Sequence, residues 1–201
     1  MKKMYLFVPL FLIFVVVFTA LTPVAAASED ISSKVFRLHI IANSDSTEDQ
    51  ELKLKVRDRI LDKSKDIYSE CGNVYDAINA SQENENELRN IAQKTVCFYG
   101  FTYPVKVYVT KEFFNVREYD SFTLPAGMYN CLKVVIGEGK GKNWWCVMFP
   151  QVCLSGCTDD IENYLTDEEK QMITGNYKVR FKVLEVYERI KYKITNIKQN
   201  R

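Results

Sequence analysis

The chain has 201 residues, of which 47% are apolar, and its formal net charge is +1. This length suits one domain with an ordinary core. A net charge so close to zero favours no class of partner, and we predict no nucleic-acid binding. The only histidine is His39, which excludes a multi-histidine metal site, so we expect no metal and no cofactor.

Residues 1–27 have the pattern of a signal peptide. Lys2 and Lys3 precede an almost wholly apolar run over residues 6–18, and three alanines at 25–27 supply a cleavage site before Ser28. The wider apolar run from Tyr5 to Leu21 is also about as long as the shorter membrane-spanning helices, so an uncleaved anchor is the alternative. We predict export of a single domain comprising residues 28–201.

The first ordered elements of this domain are a strand and a helix. Residues 35–42 alternate so that Phe36, Leu38 and Ile40 share one face. A capping box at residues 46–49 opens an amphipathic helix that we expect to run to about Tyr68 and to end at Cys71-Gly72-Asn73.

A second long helix is predicted from Ser81 to Gly100, followed by a strand over residues 103–110. The order strand, helix, helix, strand indicates an α/β or α+β fold, in which two or three long helices pack on a central sheet.

The stretch Leu124–Cys153 contains both tryptophans and a glycine-rich segment at 137–141. Strand-like runs at 128–136 and 144–149 flank this segment, which predicts a hairpin with a glycine-rich loop. Phosphate binding is the weaker interpretation, because a phosphate loop precedes a helix. A third interpretation is that the loop and the tryptophans beside it form a contact surface for a partner. Trp144 and Trp145 should point to opposite faces of their strand.

Two chemical sites have competing interpretations. His39 could act with Asp45 or Asp49 in an exported hydrolase for cell-wall or peptide substrates, but a histidine bonded to a neighbour is the favoured interpretation.

Six cysteines in an exported chain predict disulfides. We expect Cys146 to pair with Cys153 across Pro150. A bond between Cys153 and Cys157, or zinc bound by these three thiols, is the alternative.

The last segment, residues 177–201, reads as a basic helix with apolar residues three or four apart. We favour packing of this stripe on the sheet. The alternative is an amphipathic helix on an anionic membrane surface, which would make the membrane a peripheral contact. The stripe comprises Val179, Val183, Val186, Tyr187, Ile190, Ile194 and Ile197.

Two long blocks, Arg37–Leu61 and Leu124–Cys153, closely resemble the stage II sporulation protein R family of endospore-forming bacteria. The resemblance implies a signalling protein and not an enzyme. Such proteins are secreted from the forespore into the space between the forespore and mother-cell membranes. There they activate a membrane-embedded aspartic protease of the mother cell, which processes a sigma factor precursor.

The resemblance marks motif positions without assigning their individual roles. We take ten of them as partner-binding candidates: His39, Asn43, Ser44, Asp45, Gly137, Gly139, Gly141, Asn143, Trp144 and Trp145. Pro125, Gly127, Cys146 and Cys153 also match the motifs. This chain has one proline, Pro150, where family members commonly have two before the second cysteine.

Overall fold

The computed structural model describes residues 8–9, 11–12, 25–119, 121–150, 161, 164–175 and 178–199, with the backbone alone at 178–181, 183 and 195–199. The chain forms two compact units. The sheet unit comprises Ser33–Glu112 and Tyr129–Thr166, and the terminal unit comprises Met1–Ser32, Phe113–Met128 and Asp167–Arg201. Whether they fold as the single domain that we predict stays a prediction.

The fold is mixed α/β, as the order of elements in the sequence indicates. The helices are α1 (residues 25–33), α2 (Thr47–Ile67), α3 (Val74–Glu83), α4 (Glu85–Phe98), α5 (Asp167–Thr174) and α6 (Lys178–Gln199). The strands are β1 (Phe36–Ile41), β2 (Val105–Phe114), β3 (Arg117–Glu118), β4 (Thr123–Leu124), β5 (Gly127–Ile136) and β6 (Asn143–Phe149).

Strand β1 lies inside a four-stranded sheet of order β2-β5-β1-β6. It pairs in parallel with β5 and antiparallel with β6, so Leu38 lies between Leu132 and Cys146. The predicted hairpin is therefore wrong. Strands β5 and β6 are not neighbours, since β1 takes the hydrogen bonds that a hairpin would make between them, and the glycine-rich segment crosses the end of β1.

One face of this sheet carries the apolar core of the sheet unit. The alternation predicted for β1 is confirmed, because Phe36, Leu38 and Ile40 are fully buried and belong to one cluster with residues of α2, α3 and α4. Such a strand is buried on its helix side by apolar residues at every second position. The same cluster includes Leu132, Val134, Ile136, Leu52, Val56, Ile60, Leu88, Ala92 and Val96.

The helices begin and end at places that the sequence predicts only in part. Ser46 caps α2 by accepting a hydrogen bond from the amide of Asp49 at 3.2 Å, as predicted. The helix ends at Ile67, without the left-handed cap expected at Gly72 and Asn73. Asn73 instead caps α3, a helix that the sequence interpretation missed and that buries Ser81 in its last turn.

The terminal unit contains the two-stranded antiparallel sheet of β3 and β4 and the helices α1, α5 and α6. Strands β3 and β4 and helix α5 were not predicted, whereas α6 confirms the C-terminal helix. Ser28 donates a 3.4 Å hydrogen bond from its hydroxyl to the carbonyl of Ala126. None of the helices in the described part of the chain is long and apolar enough to cross a membrane.

Several predictions concern parts of the chain outside the described residues. They include the signal segment except residues 8–9, 11–12 and 25–27, together with Cys153 and Cys157. Signal cleavage and the pairing of Cys146 with Cys153 therefore stay predictions.

Candidate functional site

The turn after β1 is fixed by its own polar side chains. Asp49, in the first turn of α2, accepts hydrogen bonds from the Asn43 amide at 2.9 Å and from the Ser44 hydroxyl at 2.6 Å. Burial raises the pKa of Asp49, but the hydrogen bonds from Ser44, Asn43 and Tyr103 outweigh it and leave the pKa below its ordinary value. The ionised carboxylate therefore holds the turn in one conformation.

The glycine-rich segment, residues 137–142, is bonded to this turn through its backbone. All six of its amides donate to acceptors in the chain, at 2.7–3.1 Å. Four of those acceptors lie at residues 42–45: the carbonyls of Ala42 and Asn43 and the side chains of Asn43 and Asp45. The amides that a phosphate would need are occupied, so the segment is not a phosphate loop.

Glycine is required in this segment because the turn packs directly against it. Gly137 has a φ of +59°, and a β-carbon there would lie 2.2 Å from Oδ1 of Asn43. At Gly141 a β-carbon would lie 2.1 Å from the carbonyl oxygen of Ser44. A side chain at Gly141 would force the two segments apart, and one at Gly137 would displace the Asn43 side chain and strain the backbone.

A buried lysine ties α2 to the end of the same segment. The ammonium group of Lys53 donates to the carbonyl of Lys142 at 3.0 Å and to the side chain of Gln50 at 2.7 Å. Burial lowers the pKa of Lys53, and the nearby Asp45 carboxylate partly offsets that effect. Gln50 in turn donates to the carbonyl of Ser44 at 2.8 Å, so α2, the turn and the segment form one network.

His39 lies on the other face of β1, with both ring nitrogens engaged. Nδ1 lies 2.6 Å from a carboxylate oxygen of Glu112 on β2, and Nε2 lies 2.8 Å from Oδ1 of Asn143 on β6. The ring also stacks on Trp145, with a centroid distance of 3.7 Å. The interpretation of His39 as a histidine bonded to a neighbouring residue is confirmed.

Glu112 links His39 to Lys133, with which it forms an ion pair. Burial raises the pKa of Glu112, but the hydrogen bonds from His39 and Lys133 outweigh it and lower the pKa overall. Burial lowers the pKa of Lys133, and the bond to Glu112 more than reverses this. Burial, with Glu112 nearby, raises the pKa of Cys131 to about 12, which leaves its thiol protonated and a poor nucleophile at neutral pH.

The two tryptophans point to opposite faces of β6, as predicted. Trp144 packs against the helix-side core and lies under the guanidinium group of Arg57, 4.5 Å from its ring centroid. Trp145 stacks on His39. Both rings are half-buried, so neither is the freely exposed contact residue that a loop tip would offer.

The exposed part of the site is polar and charged. We call Asp45, Glu138, Lys140, Lys142 and Asn143 the crest, because these five residues are exposed and follow the segment and the turn. Glu138 and Lys140 form an ion pair of 2.7 Å at the surface. The other predicted site residues, including Ser44 and Gly139, lie beneath or beside the crest and position it.

The structure does not pair His39 with Asp45 or Asp49, as the hydrolase alternative requires. His39 bonds to Glu112 and Asn143, whereas Asp45 accepts from the Lys142 amide and Asp49 from Asn43 and Ser44. No cluster of three or more metal-binding side chains occurs among the residues that the structure describes.

Disulfides were predicted for the cysteines in general, but Cys71, Cys97 and Cys131 are free thiols. They lie on separate elements: after α2, in α4 and in β5.

Sequence reasoning missed Glu112 and Lys53. Glu112 lies beyond the predicted end of its strand at Thr110, and nothing in the sequence shows that β2 reaches β1 across β5. The sequence did contain a signal that could have identified Lys53. This lysine follows Leu52 on the buried side of an amphipathic helix, where a lysine needs a partner.

The fold and the site define a mixed α/β protein in which two separate sequence segments build one crest. The family model for stage II sporulation protein R matches residues 32–159, and the chain belongs to this family. It is similar to Stage II sporulation protein R of Bacillus subtilis (strain 168), with 31% identity over 155 residues, which cover 77% of this chain and 67% of the relative. No solved structure matches the chain. Family membership gives the protein a role in sporulation.

Proposed function

We propose that this chain is an exported signal that activates a membrane-embedded aspartic protease of the mother cell, which then processes a sigma factor precursor. The chain is secreted from the forespore into the space between the forespore and mother-cell membranes. It acts by binding and performs no catalysis itself. The observation that carries the proposal is membership of the stage II sporulation protein R family.

The contacts between the two resembling blocks support a binding role. Asn43 and Asp45 come from the first block, and the glycine-rich segment comes from the second, yet they share hydrogen bonds over about 95 residues of sequence separation. A crest held this firmly is ordered before a partner arrives, so binding it costs little conformational entropy. The crest is therefore our proposed contact surface for the protease.

Activation requires the crest to distinguish two states of the protease. A ligand shifts an equilibrium only by its difference in affinity for the two states. The charged groups of Glu138, Lys140 and Lys142 suit this task, because charge complementarity across an interface discriminates strongly between good and poor partners.

The direct test is reconstitution of the chain with the protease and the sigma factor precursor in vesicles. We expect precursor cleavage to depend on added chain. In the double variant Glu138→Ala with Lys140→Ala, we expect cleavage to fall tenfold or more, while the melting temperature and secretion stay at their wild-type values. Exposed ion pairs contribute little to stability, so the fold tolerates this change.

The matched control removes another exposed ion pair, between Lys65 and Asp62 of α2, whose atoms lie 3.2 Å apart. The double variant Asp62→Ala with Lys65→Ala should activate the protease normally. Cleavage that is independent of the chain would contradict the proposed function. Normal activation by the crest variant would instead leave the function standing and move the contact elsewhere.

We also propose that a disulfide joins Cys146, in the middle of β6, to Cys153. Cys146 is buried in the core cluster, directly after Trp145. The bond would fix the chain after Pro150 to β6. Titration of the denatured, unreduced protein should give four free thiols, and peptide mapping should link these two cysteines. Six free thiols would exclude the bond.

A further inference from the structure

Four residues of the apolar stripe of α6 face away from the residues on which this helix packs. Leu184 and Glu185 are 2% and 9% exposed, and Tyr192 stacks on Phe113. Val186 is 60% exposed, Tyr187 and Ile190 are both 53% exposed, and Ile194 is 50% exposed. The favoured prediction, that this stripe packs on the sheet, is wrong for these four residues.

The packed face of α6 carries polar contacts beside Leu184 and Tyr192. Glu185 bonds there to Lys182 and Arg189, and Arg189 also donates to Asn115 at 2.9 Å. The four exposed apolar residues occupy a different arc. Val186, Ile190 and Ile194 are four residues apart, and at about 100° per residue they form one row, beside which Tyr187 lies.

Lysines border this row on both sides. By the same helical geometry Lys182 and Lys193 lie along one edge and Lys191 along the other. The side chains of Lys182 and Lys191 are 76% and 52% exposed, and Lys193 is exposed too. An apolar row between two cationic edges is the arrangement of a helix that lies in the plane of a membrane surface. Its apolar side chains enter the acyl boundary there, and its lysines extend to anionic headgroups.

We infer that α6 docks the protein on an anionic lipid surface. A second copy of the chain is a poor occupant, because pairing two such rows would bring their lysine edges together. The carboxylates of the described part of the helix, Glu185 and Glu188, are already paired with lysine or arginine on α6 itself. The inference concerns a different surface from the crest and does not depend on the proposed protease partner.

The test measures binding of the chain, as it is secreted, to vesicles of equal parts phosphatidylcholine and phosphatidylglycerol. We expect binding that weakens with added salt and with pure phosphatidylcholine. In the double variant Ile190→Glu with Ile194→Glu, the partition coefficient should fall tenfold or more.

The matched control makes the same charge change at two exposed aromatic residues of the sheet unit, Tyr75 and Phe98, which are 68% and 81% exposed. The variant Tyr75→Glu with Phe98→Glu should bind vesicles within about twofold of wild type, since that shift is only a few tenths of a kcal/mol. Circular dichroism confirms that each variant is folded. Equal binding by the isoleucine variant and the wild type would overturn the inference, as would an equal loss in the control.

A leader that remains uncleaved would itself hold the chain on vesicles, so a second measurement reports on the helix directly. Amide hydrogen exchange across residues 186–194 should slow when anionic vesicles are added. Unchanged exchange there would overturn the inference. So would a dimer in sedimentation velocity that the isoleucine variant dissociates, because the row would then be an interface between copies of the chain.

Discussion

The two faces of strand β1 are stabilised by different forces. On one face, Leu38 and its alternate neighbours are buried against helices, so their contribution comes from apolar area removed from water. On the other face, His39 is held by the carboxylate of Glu112 and the amide of Asn143. The apolar face therefore secures the fold, whereas the polar face ties together β1, β2 and the start of β6, where the crest lies.

The largest expected effect comes from the apolar face. Leu38 is fully buried, so Leu38→Ala should lower the free energy of unfolding by about 2–5 kcal/mol through lost burial and a residual cavity. Urea unfolding at mildly acidic and mildly basic pH measures the loss. Because no charge changes, we expect the same loss at both values. A strongly pH-dependent loss would show that the two faces are coupled.

The second effect comes from the carboxylate of the polar face. Glu112→Gln removes the anion that His39 and Lys133 share and should cost about 1–2 kcal/mol at neutral pH, since the site is partly open to water. Urea unfolding of wild type and variant measures this difference. A loss as large as that of Leu38→Ala would contradict the division of roles between the faces.

The pH dependence of Glu112→Gln follows from the two pKa shifts. The pKa of Glu112 is below its ordinary 4.5 in the fold, so its contribution is complete above about pH 4.5 and disappears as the pH falls through the folded value. The pKa of Lys133 is above its ordinary 10.5, so its contribution is complete below about pH 10.5 and disappears as the pH rises through the folded value. The difference between wild type and variant should be widest between these limits.

The smallest effect should come from Asn143, which is exposed. Asn143→Ala removes one hydrogen bond to Nε2 of His39 and lets water replace it, so we expect a loss of about 0.5–1 kcal/mol. Thermal unfolding measures the stability. Hydrogen exchange should show faster opening at the start of β6, and unchanged exchange there would mean that Glu112 and Trp145 hold the ring of His39 without Asn143.

The sequence predicted the elements near the site better than their arrangement. Alternation identified β1, and the spacing of Leu52, Val56 and Ile60 identified α2 and its buried face. The hairpin prediction was wrong because β1 lies between β5 and β6, although it is about 100 residues from β6 in sequence. Alternation within a strand does not show which other strand it pairs with. The short elements β3, β4 and α5 were not predicted, because each is too brief to show a periodic pattern.

The same limit applies to the site. Asn43 and the glycines were found through their motifs, but their partnership was not, because a motif does not state what its residues contact. The exposed residues of α6 show the limit most clearly: helical spacing identified Ile190 and Ile194 as one apolar row, yet the same row would suit a core or a lipid surface.

The sequence by itself determined the period of each long element, the cap of α2 at Ser46, and the family to which the chain belongs. These depend on local spacing and on residue identity, which are written along the chain. Only the tertiary structure decided that β1 separates β5 from β6, that Glu112 meets His39, and that Asn43 fills the space beside Gly137. Each of these contacts joins residues far apart in sequence, and packing in three dimensions alone selects them.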